Sequence, residues 1–255
     1  AQLAIAYAVG ATCVQALFLA IHECSHNLFF ASAASNTRFA VCVLNVPIVV
    51  PFAAAFRVYH LAHHRQQGVE GKDTDLPSAW ERRHVLGPAR KLLWLSNQIV
   101  AYALRPLCTS PLRPTPEHLF NVAWQAAATA LLVAVGGWAS VRYFLGCVWL
   151  AGGLHPCAGH FLSEHYTKTL AQDTFSYYGP LNALTWNVGY HNEHHDFPRV
   201  PWSRLPRVRR AAPEFYDGLA QVTSWPGLLV AFVCDPTWSL ECRTRFSSPK
   251  AEKTQ

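Results

Sequence analysis

The stretch Ala16-Leu17-Phe18-Leu19-Ala20-Ile21-His22-Glu23-Cys24-Ser25-His26 sets an apolar run directly against a pair of histidines. The run reaches back almost unbroken to Ala1, and residues 1–21 are about long enough to cross a bilayer as a helix. Histidines four apart at a helix end present both imidazoles on one side. A metal-binding face at the edge of a membrane is the first expectation.

Two further apolar runs, 119–135 and 141–157, are split by Gly136-Gly137-Trp138-Ala139-Ser140 and read as a helical hairpin that crosses and returns. A fourth stretch, 39–56, contains Asn45, Pro47 and Pro51, which disfavour a clean spanning helix. It is expected to lie in the interface or to dip and return. A single crossing there would put His22 and His26 on the opposite side from His60, His63 and His64. Residues 225–233 are expected to form another short interfacial segment. The fold class is then an all-α integral membrane protein, one domain over 1–255 with three transmembrane helices and the histidines gathered on one face.

Composition agrees. The 255 residues are 51% hydrophobic and only 14% charged, against about 25% charged in an ordinary globular chain. Nine Trp, nine Tyr and fourteen Phe supply rings that favour membrane-water boundaries. A mean hydropathy of only +0.09 means that long polar stretches alternate with the apolar ones. Nine Lys/Arg lie in 57–118 and ten after residue 158, against Arg142 in the hairpin turn and Arg38 after the first histidine pair. By the positive-inside rule the histidine-bearing face is cytosolic. The net charge of +6 needs no nucleic acid, because basic side chains beside an anionic leaflet account for it. The eight Cys form no CxxC and mostly lie in or beside apolar runs, which excludes a disulfide scaffold and a zinc ribbon. The chain has no Met and begins mid-pattern, so it reads as a fragment lacking its natural N-terminus, and no cleavable signal peptide can be argued. A polar tail starts at Ser247.

Three histidine clusters carry the chemistry: His22-Glu23-Cys24-Ser25-His26, His60-Leu61-Ala62-His63-His64 and His191-Asn192-Glu193-His194-His195. One pair and two HxxHH triplets give eight nitrogen donors on one expected face, and His160, just after the hairpin returns, would be a ninth. Neutral imidazoles suit a first-row transition metal, and their number exceeds what one ion takes, so a two-metal centre follows from the count. Imidazole also fits zinc and copper. The lipid setting favours iron, since O2 chemistry is what attacks an unactivated alkyl chain. Glu23, Glu164, Glu193 and Asp196 are candidates to fix imidazole tautomers. His165 and His155 are weaker candidates for ligands, and Asn187 could hold a water there. His84 and His118, isolated in polar loop, are expected to be solvated. A single HxxxH or HxxHH is more often a surface or capping pair, but three clusters on one face are not independent accidents.

Two other chemistries compete. HECSH also satisfies the HExxH signature of zinc metalloproteases, with Glu23 as general base, but that reading leaves both triplets unexplained. A histidine-rich metal transporter would need ionisable residues within its spans, and these spans carry almost none.

The three clusters, extended as His60-Leu61-Ala62-His63-His64-Arg65-Gln66-Gln67-Gly68 and Asn187-Val188-Gly189-Tyr190-His191-Asn192-Glu193-His194-His195-Asp196-Phe197-Pro198, resemble the histidine boxes of membrane fatty-acyl and sphingolipid desaturases. The third box resembles the sphingolipid Δ4-desaturases more closely than stearoyl-CoA or plant acyl-lipid enzymes. Residues 159–166, 176–182, 203–206 and 212–217 match the same subfamily, and the resemblance covers residues 21 to about 245. It implies a mushroom-like helical protein of the endoplasmic reticulum membrane, with a cytosolic cap holding two irons. It implies O2 as oxidant, electrons from cytochrome b5 and its reductase, and removal of hydrogens from C4 and C5 of the sphingoid chain of dihydroceramide to give the trans double bond of ceramide. The implied ligands are His22, His26, His60, His63, His64, His160, His191, His194 and His195. The chain departs from the family in three ways. The family's first span is missing, so a fourth helix would have to precede Ala1. Position 62 is Ala where the second box is expected to carry an acidic residue. No cytochrome b5 domain is recognisable, so the donor is expected to be a separate protein. Sphingolipid C4 hydroxylation, a bifunctional enzyme and acyl-lipid desaturation remain open on the same scaffold.

Overall fold

The computed structural model describes residues 1–168 and 172–246, and the polar tail from Ser247 lies outside the described residues. Its first helix, Gln2–Ser25, runs through a π-helical stretch at Ala6–Ala11 and continues four residues past the apolar run, so that His22 sits within it. It stops at His26, followed by left-handed Asn27 (φ 62°). The last turn of a helix leaves carbonyls without partners. Here the Arg57 guanidinium donates to Cys24 O and Ser25 O at 3.2 and 2.6 Å. Arg57 belongs to the helix Ala53–Gln66, which carries His60, His63 and His64. One ion-dipole contact therefore joins the first histidine cluster to the second.

Between these helices the chain does not run straight. Ala33–Phe39 is helical, Ala40–Leu44 is a π turn, Val46–Ile48 is a 3-10 turn, and Val49 is left-handed (φ 54°). Pro47 and Pro51 offer no N–H, and Asn45 supplies what the backbone cannot. Its Oδ1 accepts from Phe52 N and Ala53 N (2.9 and 2.7 Å), capping the next helix. Its Nδ2 donates to Val50 O and Gln125 Oε1 (2.6 and 2.8 Å).

The longest helix, Pro116–Gly152, has 37 residues. Straight, it would extend about 55 Å, nearly twice the thickness of a bilayer core. Gly137 (φ 66°, ψ 176°) breaks it into arms 116–136 and 138–152. Both arms return to the segment 45–52. Gln125 bonds Asn45 and Val46 O, while Leu145 and Val148 line a groove with Ile48 and Phe52. The second arm packs on the first helix, where Gln15 Nε2 donates to Ala151 O (2.7 Å) and a Cβ on Gly10 would collide with Cys147. This arm ends at Gly152, short of residue 157, and a 3-10 turn at Pro156–Gly159 leads into the helical turn His160–Ser163.

A 23-residue helix, Gly87–Thr109, occupies a region whose sequence signalled only charge. It turns Leu95, Gln98, Tyr102 and Arg105 inward and leaves Leu92, Leu93, Leu104 and Leu107 exposed. The helix Trp225–Cys234 buries Leu228, Leu229 and Phe232 in a core shared with Leu95, Leu162 and Tyr166, and Trp225 in a second core with Phe18, Tyr177 and Val188. Trp225 lies so close to Gly159 that no Cβ fits there.

Candidate metal centre and its cavity

The end of the first helix, the helix Ala53–Gln66 and the short helix His191–Asp196 meet around two groups of ring nitrogens. His22, His26, His60, His64 and His194 each bring one nitrogen within 4.8 Å of the others. Within that group the Nε2 atoms of His26 and His60 are 2.8 Å apart, those of His60 and His64 3.1 Å, and those of His64 and His194 3.1 Å. His63, His165 and His195 form the second group. His165 Nε2 lies 3.1 Å from His63 Nε2 and 3.1 Å from His191 Nε2. Each HxxHH triplet is thus shared between the groups. Residues four apart lie about 40° apart around a helix and adjacent residues about 100°. His60 and His64 accordingly turn to one group and His63 to the other, while His191 and His195 turn to the second group and His194 to the first.

These contacts do not close as hydrogen bonds. His60 Nε2 and His165 Nε2 each face two ring nitrogens, yet an imidazole nitrogen has one lone pair or one proton to offer. His22 Nε2 and His195 Nε2 are buried with no partner at all among the described residues. A shared cation resolves both facts. For an ion with metal-nitrogen bonds of about 2.1 Å, neighbouring ligand atoms at right angles lie about 3.0 Å apart, which is the spacing seen. The residues present fit two first-row transition ions.

The electrostatics keep these rings in the form a metal needs. Burial, reinforced by neighbouring rings, depresses His60, His165, His191, His194 and His195 well below the usual imidazole range. Burial takes His64 down to about 2. These rings are neutral with free lone pairs. His63 differs: burial alone would lower it, but the facing carboxylates of Asp73 and Asp75 raise it. Asp73 Oδ1 accepts from His63 Nδ1 (3.0 Å), and its Oδ2 accepts from Gly68 N (2.7 Å) and Arg243 Nη2 (3.4 Å). The proton held on Nδ1 leaves the Nε2 lone pair turned into the group. Burial would raise Asp73, yet His63 and Arg243 hold it well below the carboxylate range. His165 is fixed by donation from Nδ1 to Asp173 O (3.2 Å).

A cavity of about 70 Å³ adjoins both groups, with His22, His60, His63, His165 and His191 in its wall. Phe18, Ile99, Tyr102 and Phe161 separate it from an apolar groove of about 270 Å³ running between the first helix, the second hairpin arm and the helix Gly87–Thr109.

The fatty acid desaturase family model matches residues 1–226. The chain belongs to the fatty acid desaturase family. It is 47% identical to the sphingolipid delta(4)-desaturase of Candida albicans, over 91% of this chain and 67% of that protein. It is 45% identical to a sphingolipid delta(4)-desaturase DES1-like protein of Oryza sativa subsp. japonica, over 98% and 76%. It is 47% identical to the human sphingolipid delta(4)-desaturase/C4-monooxygenase DES2, over 89% and 71%.

Of the nine histidines expected to act together, eight meet in the two groups of this desaturase. His160 is not among them. Its Nε2 lies 3.2 Å from Gln15 Oε1 and its Nδ1 2.7 Å from Glu164 Oε1, so both nitrogens face side-chain oxygens. His165, a weaker candidate from the sequence, supplies the ninth ring. His155 bonds Thr12 and caps the turn after it; His118 bonds Thr115, and His84 stacks on Trp80. Asn187 donates to Trp202 O (3.1 Å), away from both groups. Among the four acidic candidates, Glu164 bonds His160 and lies 4.0 Å from His191 Nδ1, and Glu23 Oε1 lies 3.6 Å from His22 Nδ1. Glu193 instead accepts from the Ser176 and Tyr178 hydroxyls, and Asp196 from Tyr216. Sequence reasoning missed Asp73 and Arg243. With position 62 an Ala, the carboxylate behind His63 comes from ten residues downstream, and the acidic pair Asp73 and Asp75 was the available signal.

Proposed function

We propose that this desaturase is a sphingolipid Δ4-desaturase, an oxidoreductase that converts dihydroceramide to ceramide by placing a trans double bond between C4 and C5 of the sphingoid chain. The observation that carries the reading is a cavity against two histidine groups that shares a wall, Phe18, Ile99, Tyr102 and Phe161, with an apolar groove. A place for two metal ions thus lies beside a place for an alkyl chain, and relatives at 45–47% identity bear that activity in their names. One iron would be held by His22, His26, His60, His64 and His194, and the other by His63, His165, His191 and His195. When bound, the two irons supply the reduction of O2 that makes an unactivated C–H bond breakable.

The chain's own residues do the rest. The apolar groove takes the hydrocarbon and excludes water from it. Asp73 holds the Nδ1 proton of His63, and the pair His160 and Glu164 orients the cavity wall beside His191. In the overall reaction the substrate loses two hydrogens, a donor adds two electrons and two protons arrive from solvent. O2 leaves as two waters. Cytochrome b5 with its reductase is the proposed donor.

The proposed setting is the endoplasmic reticulum membrane, with Gln2–Ser25 and the two arms 116–136 and 138–152 as three crossings and the irons on the cytosolic side. Segments 39–56 and 225–233 would lie at the interface. The exposed Leu119, Val122, Leu131, Val135 and Trp138 of the hairpin support lipid contact. A second reading, C4 hydroxylation alongside desaturation, is favoured by the similarity to the human relative whose name carries both activities.

Expression in cells lacking Δ4-desaturase, followed by sphingolipid mass spectrometry, tests both. Ceramide with a 4,5 double bond is the expected product, and a 4-hydroxy product supports the second reading. Unchanged dihydroceramide with neither product overturns the proposal.

A further inference from the structure

The cavity beside the histidines has a polar wall that the metal groups do not use. Asp75, Gln98, Arg105, Tyr166 and Arg243 line it, facing the rings across the same small space. Arg105 is already committed, with two guanidinium nitrogens on Glu81 at 2.7 and 3.0 Å. Gln98 is not, and Arg243 is so only through Nη2, which meets Asp73: Gln98 Nε2 and Arg243 Nη1 are buried with no hydrogen-bond partner among the described residues. Both residues are more than nine-tenths buried, Gln98 at 6% and Arg243 at 2% exposure. A buried donor left unpaired costs free energy. Two in one cavity, with the Asp75 carboxylate in its wall, describe a place for oxygen atoms that also carry protons.

Resting on the function proposed above, we infer that this wall is the subsite for the polar end of the sphingoid chain, a 2-amido-1,3-diol. Gln98 and Arg243 donate to its oxygens, and Asp75 accepts a hydrogen bond from a hydroxyl. When C4 and C5 react, the carbon that bears the C3 hydroxyl is bonded directly to C4, so the hydroxyl's partners must share the cavity with the ligating rings. A fatty-acyl chain cut far from its carboxyl end has no oxygen there and would leave both donors unpaired.

A second observation is independent of the cavity. The segment carrying Arg243 is fastened at both ends. Thr167 N donates to Cys242 O (2.8 Å), and Phe246 exchanges hydrogen bonds with Gly68 O (2.7 Å) and Glu70 N (3.0 Å). Gly68 has φ 72° and the Phe246 ring lies over it, so this clasp needs a glycine.

The test compares dihydroceramide with its 3-deoxy analogue, using the full iron-loaded chain and its Gln98→Leu and Arg243→Lys variants. Gln98 makes no side-chain hydrogen bond among the described residues, so its replacement leaves the framework intact. Wild type should prefer dihydroceramide in kcat/KM, and Gln98→Leu should lower that preference about 10-fold, through KM, at unchanged iron content. An undiminished preference in both variants overturns the subsite while leaving the Δ4 activity standing. Wild type that turns over neither lipid overturns the functional reading instead. The subsite is then judged by thermal stabilisation of the purified chain, where equal shifts in Tm from the two lipids overturn it.

Discussion

His160 and His165 are five residues apart, and only their local backbone decides which ring joins the metal groups. The helical turn ends at Ser163, so the angular rule that sorts the HxxHH triplets does not extend to His165. For this reason eight ring positions were legible from spacing and the ninth was not. The Nδ1 of His160 is bonded to Glu164 and its Nε2 faces Gln15. His160→Ala should therefore retain both irons while lowering turnover, and His165→Ala should retain about one of two. Iron per purified chain, measured by plasma emission, separates them; loss of iron in His160→Ala with none in His165→Ala would reverse the assignment. Asp73 was illegible for a related reason. It reaches His63 only because Gly68 and Gly71 take positive φ (72° and 75°) and fold the intervening chain back on itself.

Elements show the same division between what pattern reveals and what packing adds. The break in 39–56 was readable from Pro47 and Pro51, because a ring without an N–H cannot continue a helix. The geometry that replaces it was not, since it rests on the single side chain of Asn45. Asn45→Ala removes the acceptor for two N–H groups at the start of the helix Ala53–Gln66, together with the bond to Gln125. It should destabilise the protein by about 2–3 kcal/mol, read as a lowered Tm in detergent, and an unchanged Tm would remove Asn45 from this role. The helix Gly87–Thr109 escaped notice because its inward face includes Lys91, Gln98 and Arg105, which break the apolar period by which buried helices announce themselves. Lys91 reaches Asp235 O and Arg105 the Glu81 carboxylate, so tertiary partners make that polar face possible.

Across the whole molecule, the three proposed crossings put the turn at Gly137 on one side of the membrane and the metal groups on the other. In a background with the native cysteines replaced, a cysteine at Ala139 should resist a membrane-impermeant maleimide in sealed cytosol-out vesicles, and one at Arg83 should react. Labelling of both would contradict an odd number of crossings between the two faces. The clasp between Phe246 and Gly68 and the placement of Arg243 behind His63 carry a temporal consequence as well. His22 leaves the ribosome long before His195, and at about 5–20 residues per second the interval is on the order of ten to thirty seconds. Through that interval the early histidines have no opposite wall, and the carboxylate behind His63 has no arginine until later still. On the proposed ligand sets, neither group could be complete before residues 191–195 have been made and folded back, so full loading with two metal ions would come only after nearly the whole chain is synthesised.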